Sequence, residues 1–322
     1  MPTLTRRNFV AGASAIATVS AVRPIFAMAA SSPFHVAVIS DEISQDFDHA
    51  CSVISRDFGL HWVELRDIGG KNLQALSDPE IAEARKTLAK YNLQVTDIAS
   101  PLFKVDWPDA PKSPYSPKRD THGAADVGFN QQDEVLARSI HLAQAFGTDK
   151  VRCFDFWRLE DPKPYRKAIN DKLQAAAETA QKAGILLVLE NEFACNTATG
   201  REAAETLAGV PSPNLALNWD PGNAVMRGEF DAFPGGWDAL PKDRIHHCHC
   251  KNAVKDDAGK VQWSPVGKGY IDWTAQFRAL KQAGFRDAVS LETHWHGGGT
   301  PEQSTRTSWS GMKQALENAQ AI

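Results

Sequence analysis

The sequence predicts an α/β fold, a (β/α)8 barrel in which eight parallel strands each lead into a helix. Beyond Ser31, short apolar runs alternate with segments of helical spacing, the pattern of a parallel sheet covered by helices. The unit recurs eight times over roughly 290 residues, close to the ~250 usual for such a barrel. A doubly wound open sheet is the rival, but its signature is missing. Ser40-Asp41-Glu42 follows the first run where a G-x-G-x-x-G loop belongs, and Gly267-Lys268-Gly269 lacks the spacing and Lys-Ser/Thr ending of a phosphate loop.

In order, the strand runs are Phe34–Ser40, Trp62–Arg66, Gln94–Ala99, Val151–Phe154, Ile185–Glu190, Leu215–Trp219, Ile245–Cys250 and Ala288–Glu292. Each is short and apolar, as a strand buried on both faces must be. Helical stretches between them include Pro79–Tyr91, Gln131–Phe146, Arg166–Ala183, Trp273–Ala283 and Glu302–Ala319. Asp78-Pro79 offers a capping side chain and then Pro at the first helical position, while Gly147, Gly184 and Gly284 stand where helices end. Surplus length gathers after strand three, in a proline-rich loop over 104–130 with Pro108, Pro111, Pro114 and Pro117. A loop of that length on a compact barrel is expected to be a lid or an oligomer contact.

The first 29 residues are expected to be removed. Arg6-Arg7-Asn8-Phe9 precedes a short, mildly apolar Ala/Gly/Ser stretch, and Ala27-Met28-Ala29 gives a small-residue exit. That is an export signal, too short to span a bilayer, and the paired arginines mark the twin-arginine class that carries folded proteins. Residues 30–322 then form one catalytic domain in the periplasm. The cleavage removes Arg6, Arg7 and Arg23 and no acid, moving the formal charge from −4 to −7. An acidic chain offers no basic face for nucleic acid, and nothing after the signal is apolar enough for a membrane span. Five cysteines are too few for a disulfide framework.

Chemistry in such a barrel lies at the carboxyl ends of the strands. On strands five to eight those ends carry Glu190, Asp220, His249 and Glu292. Four metal-capable side chains in register on neighbouring strands point to one divalent ion. Three carboxylates and an imidazole suit Mn²⁺ foremost, with Co²⁺ or Mg²⁺, and Zn²⁺ also compatible. The tract His247-Cys248-His249-Cys250 is not a zinc knuckle. Strand alternation sends His247, His249 and Lys251 to one side and both cysteines to the other.

From Val38-Ile39-Ser40-Asp41-Glu42 to the last helix, the chain resembles the sugar phosphate isomerase/epimerase family of xylose isomerase-like TIM barrels. The motifs that carry the likeness are Glu190-Asn191, Asn218-Trp219-Asp220-Pro221-Gly222-Asn223, His247-Cys248-His249-Cys250-Lys251 and Gly267-Lys268-Gly269-Tyr270-Ile271-Asp272-Trp273, leading to Leu291-Glu292. The resemblance implies that Glu190, Asp220, His249 and Glu292 hold the metal and that Glu190 and Glu292 double as the acid/base pair. Two departures bear on the substrate: Asn223 where epimerases of the family often carry His, and an unusual loop from Thr293 through His294 and His296 to Gly299.

Such a site would stabilise an enediolate on a carbon next to a sugar carbonyl, serving epimerisation, isomerisation or β-elimination alike. Export argues for an unphosphorylated sugar or a keto-glycoside. Substrate contacts are expected from His247, Lys251, Arg158, Asn223 and Trp157, with Trp107 as a second stacking ring. Glu42 and Glu64 are expected to hydrogen-bond at the rim, and His294 and His296 to lie in a closing loop. Two other classes stay in view. An abasic-site nuclease of the endonuclease IV type needs three zinc ions and more histidines. A non-catalytic sugar-binding subunit needs no pair of glutamates.

Overall fold

The structure, a computed structural model, describes residues 32–111, 113, 114, 116 and 128–322. The segment read as an export signal and residues 117–127 of the long loop lie outside the described residues. Eight strands form the barrel: β1 (His35–Val38), β2 (Trp62–Leu65), β3 (Gln94–Leu102), β4 (Lys150–Cys153), β5 (Leu186–Glu190), β6 (Leu215–Trp219), β7 (Ile245–Cys250) and β8 (Ala288–Leu291). All pair in parallel in the order β1-β8-β7-β6-β5-β4-β3-β2, and a parallel bridge from Ile39 to Glu64 closes the ring.

A helix follows every strand: α1 (Phe47–Ser52), α2 (Asp78–Lys90), α3 (Gln132–Phe146), α4 (Arg166–Lys182), α5 (Gly200–Gly209), α6 (Pro221–Arg227), α7 (Trp273–Gln282) and α8 (Pro301–Asn318). Among the described residues no helix is long and apolar enough to cross a membrane. Gly147 ends α3 with φ +75°, and Gly184 and Gly284 take the same left-handed turn after α4 and α7. One cap differs from expectation. Ser77, not Asp78, caps α2: its amide and hydroxyl both donate to Glu80, at 2.8 and 2.7 Å, and Pro79 falls at the second helical position.

Strand alternation decides where the core sits. Val63 and Leu65 of β2, Val151 and Cys153 of β4, Leu187 and Leu189 of β5, Leu217 and Trp219 of β6 and Cys248 and Cys250 of β7 face outward into one apolar layer beneath the helices. Their neighbours Glu64, Arg152, Glu190, Asn218, His247 and His249 are buried too, and must therefore face the barrel axis. The apolar core is thus a sleeve around a polar interior. The cysteines lie as expected: all five are free and buried, with Cys248 and Cys250 on the helix side.

Two short antiparallel ribbons sit on the carboxyl-end rim, Asp67–Ile68 with Lys71–Asn72 after β2 and Asn252–Lys255 with Val261–Ser264 after β7.

Candidate metal centre

The ends of strands β5 to β8 converge. Glu190 is the last residue of β5, Asp220 follows β6, His249 lies in β7, and Glu292 follows β8, its amide bonded to the Cys250 carbonyl at 3.2 Å. Ligand atoms of all four lie within 4.8 Å of one another, and each residue is buried. His249 Nδ1 stands 3.2 Å from Glu190 Oε1, 3.2 Å from Glu292 Oε2 and 3.6 Å from Asp220 Oδ2.

Asp220 does two jobs. As N-cap of α6 it accepts the Asn223 amide on Oδ1 at 2.9 Å. Its Oδ2, fully buried, makes no hydrogen bond, and the Lys251 ammonium stands 2.7 Å away. Lys251 Nζ also lies 2.5 Å from Glu292 Oε2. Three carboxylates and one imidazole nitrogen, drawn together out of water, fit a hard divalent cation. Among the described residues no cysteine joins any cluster of metal spacing, so the thiolate alternative has no geometry behind it.

Charge in the surroundings keeps both glutamates ionised. Burial alone would raise the Glu190 carboxyl, but His249 and Arg152 hold it well below the usual carboxylate range, with Arg152 Nη1 3.1 Å from its Oε2. Burial is likewise outweighed at Glu292, where Lys251, His294 and His249 hold the carboxyl well below its ordinary value, and Arg66 Nη1 stands 3.1 Å from Oε1. Burial opposes the charge on His249 as well, yet Glu64, Glu190 and Glu292 raise it well above the usual histidine value. In the same way Asp220 and Glu292 lift Lys251 above the ordinary lysine range.

The other expected contacts divide. Lys251 is in the cluster. Asn223 touches it through Glu190, donating from Nδ2 to Oε1 at 3.0 Å, and so orients that carboxylate. His247 is fully buried one layer below, its Nδ1 donating to Asn218 Oδ1 at 3.0 Å. The structure does not bring Arg158 to the cluster: its guanidinium is 2.6 Å from Glu202 and also bonds the Cys195 and Asn196 carbonyls. Trp157 is buried against Phe154 and Cys195, and Trp107 packs edge-on to Phe129 and Phe156.

Glu64 corrects the rim expectation. It is fully buried and accepts from His249 Nε2 at 3.0 Å, while His249 and His247 hold its carboxyl at about 2 against the upward push of burial. Such a carboxylate behind a ligating histidine fixes its tautomer and ring orientation. Glu42 keeps to a rim role, paired with Arg66 at 2.8 Å. His294 reaches Glu292 Oε1 at 3.4 Å and stacks on Trp263, while His296 is exposed.

Sequence reading passed over Arg66, Arg152, Asp97 and Trp263. The signal for Arg152 and Asp97 is a charge set between apolar neighbours inside a strand, in Val151-Arg152-Cys153 and Val95-Thr96-Asp97-Ile98. A charge at such a position needs a buried partner.

Comparison with known proteins places this geometry. No curated protein sequence matches significantly. Solved structures share the fold at low identity. A xylose isomerase-like TIM barrel protein from Mycobacterium smegmatis in complex with magnesium aligns with TM-score 0.63 and 18% identity over 90% of this chain and 99% of that one. D-psicose 3-epimerase in the presence of D-fructose aligns with TM-score 0.61 and 15% identity over 88% and 99%. A probable 3-DHS dehydratase, AsbF of Bacillus anthracis, aligns with TM-score 0.60 and 19% identity over 86% and 97%. The chain spans 43% of one longer match, a fusion of such a barrel with 4-hydroxyphenylpyruvate dioxygenase. A family model described as xylose isomerase-like TIM barrel matches residues 54–315. With the family model spanning most of the chain and the eight-stranded parallel barrel described above, the chain belongs to the xylose isomerase-like TIM barrel family.

Proposed function

We propose that the protein is a divalent-metal-dependent sugar isomerase or epimerase, acting through an enediolate on an unphosphorylated sugar or keto-glycoside. One observation carries the reading. Two ionised glutamates, Glu190 and Glu292, reach the same imidazole nitrogen from strands set three apart around the barrel. Bases so arranged approach a bound carbon from different sides. A divalent cation held by Glu190, Asp220, His249 and Glu292 would supply the charge that acidifies a C–H next to a carbonyl. Mn²⁺ is the best match to three carboxylates and one imidazole.

Glu292 takes the proton and Glu190 returns one to the other face, or to the adjacent carbon. Lys251 and Arg66 fix Glu292, while Arg152 and Asn223 fix Glu190, so both carboxylates wait in the form a base requires. Should the substrate carry a leaving group at the β position, the same proton removal leads to elimination instead. A twin-arginine export, which Arg6-Arg7 and the small-residue exit support, argues for a free sugar met in the periplasm. Its partner is then a small carbohydrate.

The test is Glu292→Gln, which preserves shape and removes the base. The variant is expected to fold and bind Mn²⁺ with reduced affinity, and to lose solvent-deuterium incorporation into substrate by at least ~100-fold. Exchange at the wild-type rate would remove Glu292 from the acid/base role.

A further inference from the structure

The metal cluster draws on strands β5 to β8 and leaves the carboxyl ends of β3 and β4 without a part. Two charges stand beside those ends that the proposed reaction does not use. Lys104 follows β3 and Glu192 follows β5, with side chains only 14% and 8% exposed. Between them β4 leads into Phe154, which is fully buried. The Lys104 ammonium lies 4.6 Å from the centre of that ring and 5.5 Å from the Trp157 ring.

Neither charge is well met. Among the described residues the Lys104 ammonium has one carboxylate partner, Glu192 Oε2, at 3.9 Å, and no hydrogen bond. A charge-assisted bond is ~2.7–2.9 Å long. Glu192 is held loosely as well, accepting the Ala194 amide and the Asn223 side-chain amide at 3.4 Å each. A cation drawn this far out of water costs free energy until an acceptor reaches it. The pair also adjoins the metal cluster. Asn223 Nδ2, 3.4 Å from Glu192 Oε2, is 3.0 Å from Glu190 Oε1, so one amide touches both carboxylates.

The chemistry of the two groups selects what fits between them. An ammonium only donates and a carboxylate only accepts, so a bridging group must do both. A hydroxyl does. A carbonyl or a phosphate oxygen does not, and a phosphate would set its charge against Glu192. An oxygen about 2.8 Å from each atom, at an angle of about 90°, spans the observed 3.9 Å.

We infer that Lys104 and Glu192 form a specificity site beside the metal cluster, holding one non-reacting hydroxyl of a neutral sugar on the Glu190 side. Lys104 donates to the hydroxyl oxygen and Glu192 accepts its hydrogen. The proposed sugar chemistry supplies the ligand class on which this rests.

Sugar binding, rather than turnover, tests it. The full-length protein, loaded with Mn²⁺, is titrated with a panel of free ketoses and 3-keto-glycosides, followed by tryptophan fluorescence. For the tightest binder, Lys104→Met and Glu192→Gln are each expected to weaken affinity by at least ~10-fold while Mn²⁺ affinity stays at the wild-type value. A crystal structure of the wild-type complex must place a sugar hydroxyl within hydrogen-bond distance of both Lys104 Nζ and Glu192 Oε2. That arm keeps the test sound if either variant fails to fold. Unchanged affinity in the folded variants, a water alone between the two groups with sugar bound, or no binding by any member overturns the inference. Unchanged affinity with deuterium exchange intact leaves the proposed function standing. A sugar that binds through Lys104 and never exchanges counts against the proposed function only.

Discussion

Asp67 shows how one side chain records the crowding of charge on this rim. Burial, followed by repulsion from Asp41, raises its carboxyl to about 6, and the Asn72 amide bond at 3.0 Å only partly offsets this. A folded value above the unfolded one, about 3.9, means that the native chain holds a proton the unfolded chain has released. Its contribution to stability therefore declines as pH rises from about 4 through about 6. Asp67→Asn is expected to remove that decline and to gain about 1 kcal/mol at pH 7, after solvent screening is allowed for. Urea midpoints at pH 4, 5, 6 and 7 check this, and an unchanged pH slope in the variant would contradict it. The four residues of the candidate metal cluster were legible one by one because Glu190, Asp220 and Glu292 each end or follow an apolar run and His249 sits next to the end of its strand. Glu64 and Asp97 were not, because one charge in a short strand looks the same whether it meets solvent or a buried partner. Arg158 and Trp157 misled for the opposite reason: local partners, Glu202 for one and Phe154 and Cys195 for the other, had already claimed them.

Among the elements, α8 carries a requirement that its sequence hides. Gly311 lies within the helix, where glycine costs about 1 kcal/mol relative to alanine. The backbone of Val266 passes directly over it, leaving no room for a Cβ. Gly311→Ala is accordingly expected to destabilise by about 2 kcal/mol despite the better propensity, because the Val266 backbone must shift. Denaturant unfolding decides, and a neutral or stabilising effect would show that propensity alone governs the position. The same scale shows what sequence reading resolves. Long helices with clear spacing, such as α3 and α4, fall where periodicity puts them to within a residue or so. The six-residue α1 and seven-residue α6 carry too few turns for a period to emerge. In α6 the start signal is doubly used, since Asp220-Pro221 is both a helix cap and a ligand position.

For the molecule as a whole, the division between an apolar sleeve and a charged interior is the feature from which function follows. Period-two alternation in the parallel strands sends the aliphatic residues toward the helices and the ionisable ones toward the axis. The fold was readable because eight strand–helix units leave few alternatives. The interior was not, because the outcome depends on which strands meet across the axis. Arg66 approaches Glu292 over a sequence separation of 226 residues, and no local pattern announces it. The proposed export is a second property of the whole chain. Replacing Arg6 and Arg7 by lysine is expected to leave the protein in the cytoplasm, as fractionation would show, and a variant still found in the periplasm would exclude the twin-arginine route. The central claim, that this interior makes a carbon acid of a sugar, is tested most directly by NMR in D₂O. The Mn²⁺-loaded mature protein is mixed with a panel of free ketoses and 3-keto-glycosides. Deuterium appearing at carbon next to the carbonyl is the predicted result, and its position separates epimerisation from isomerisation and from elimination. No deuterium in any sugar, with metal bound at full occupancy, would contradict the account.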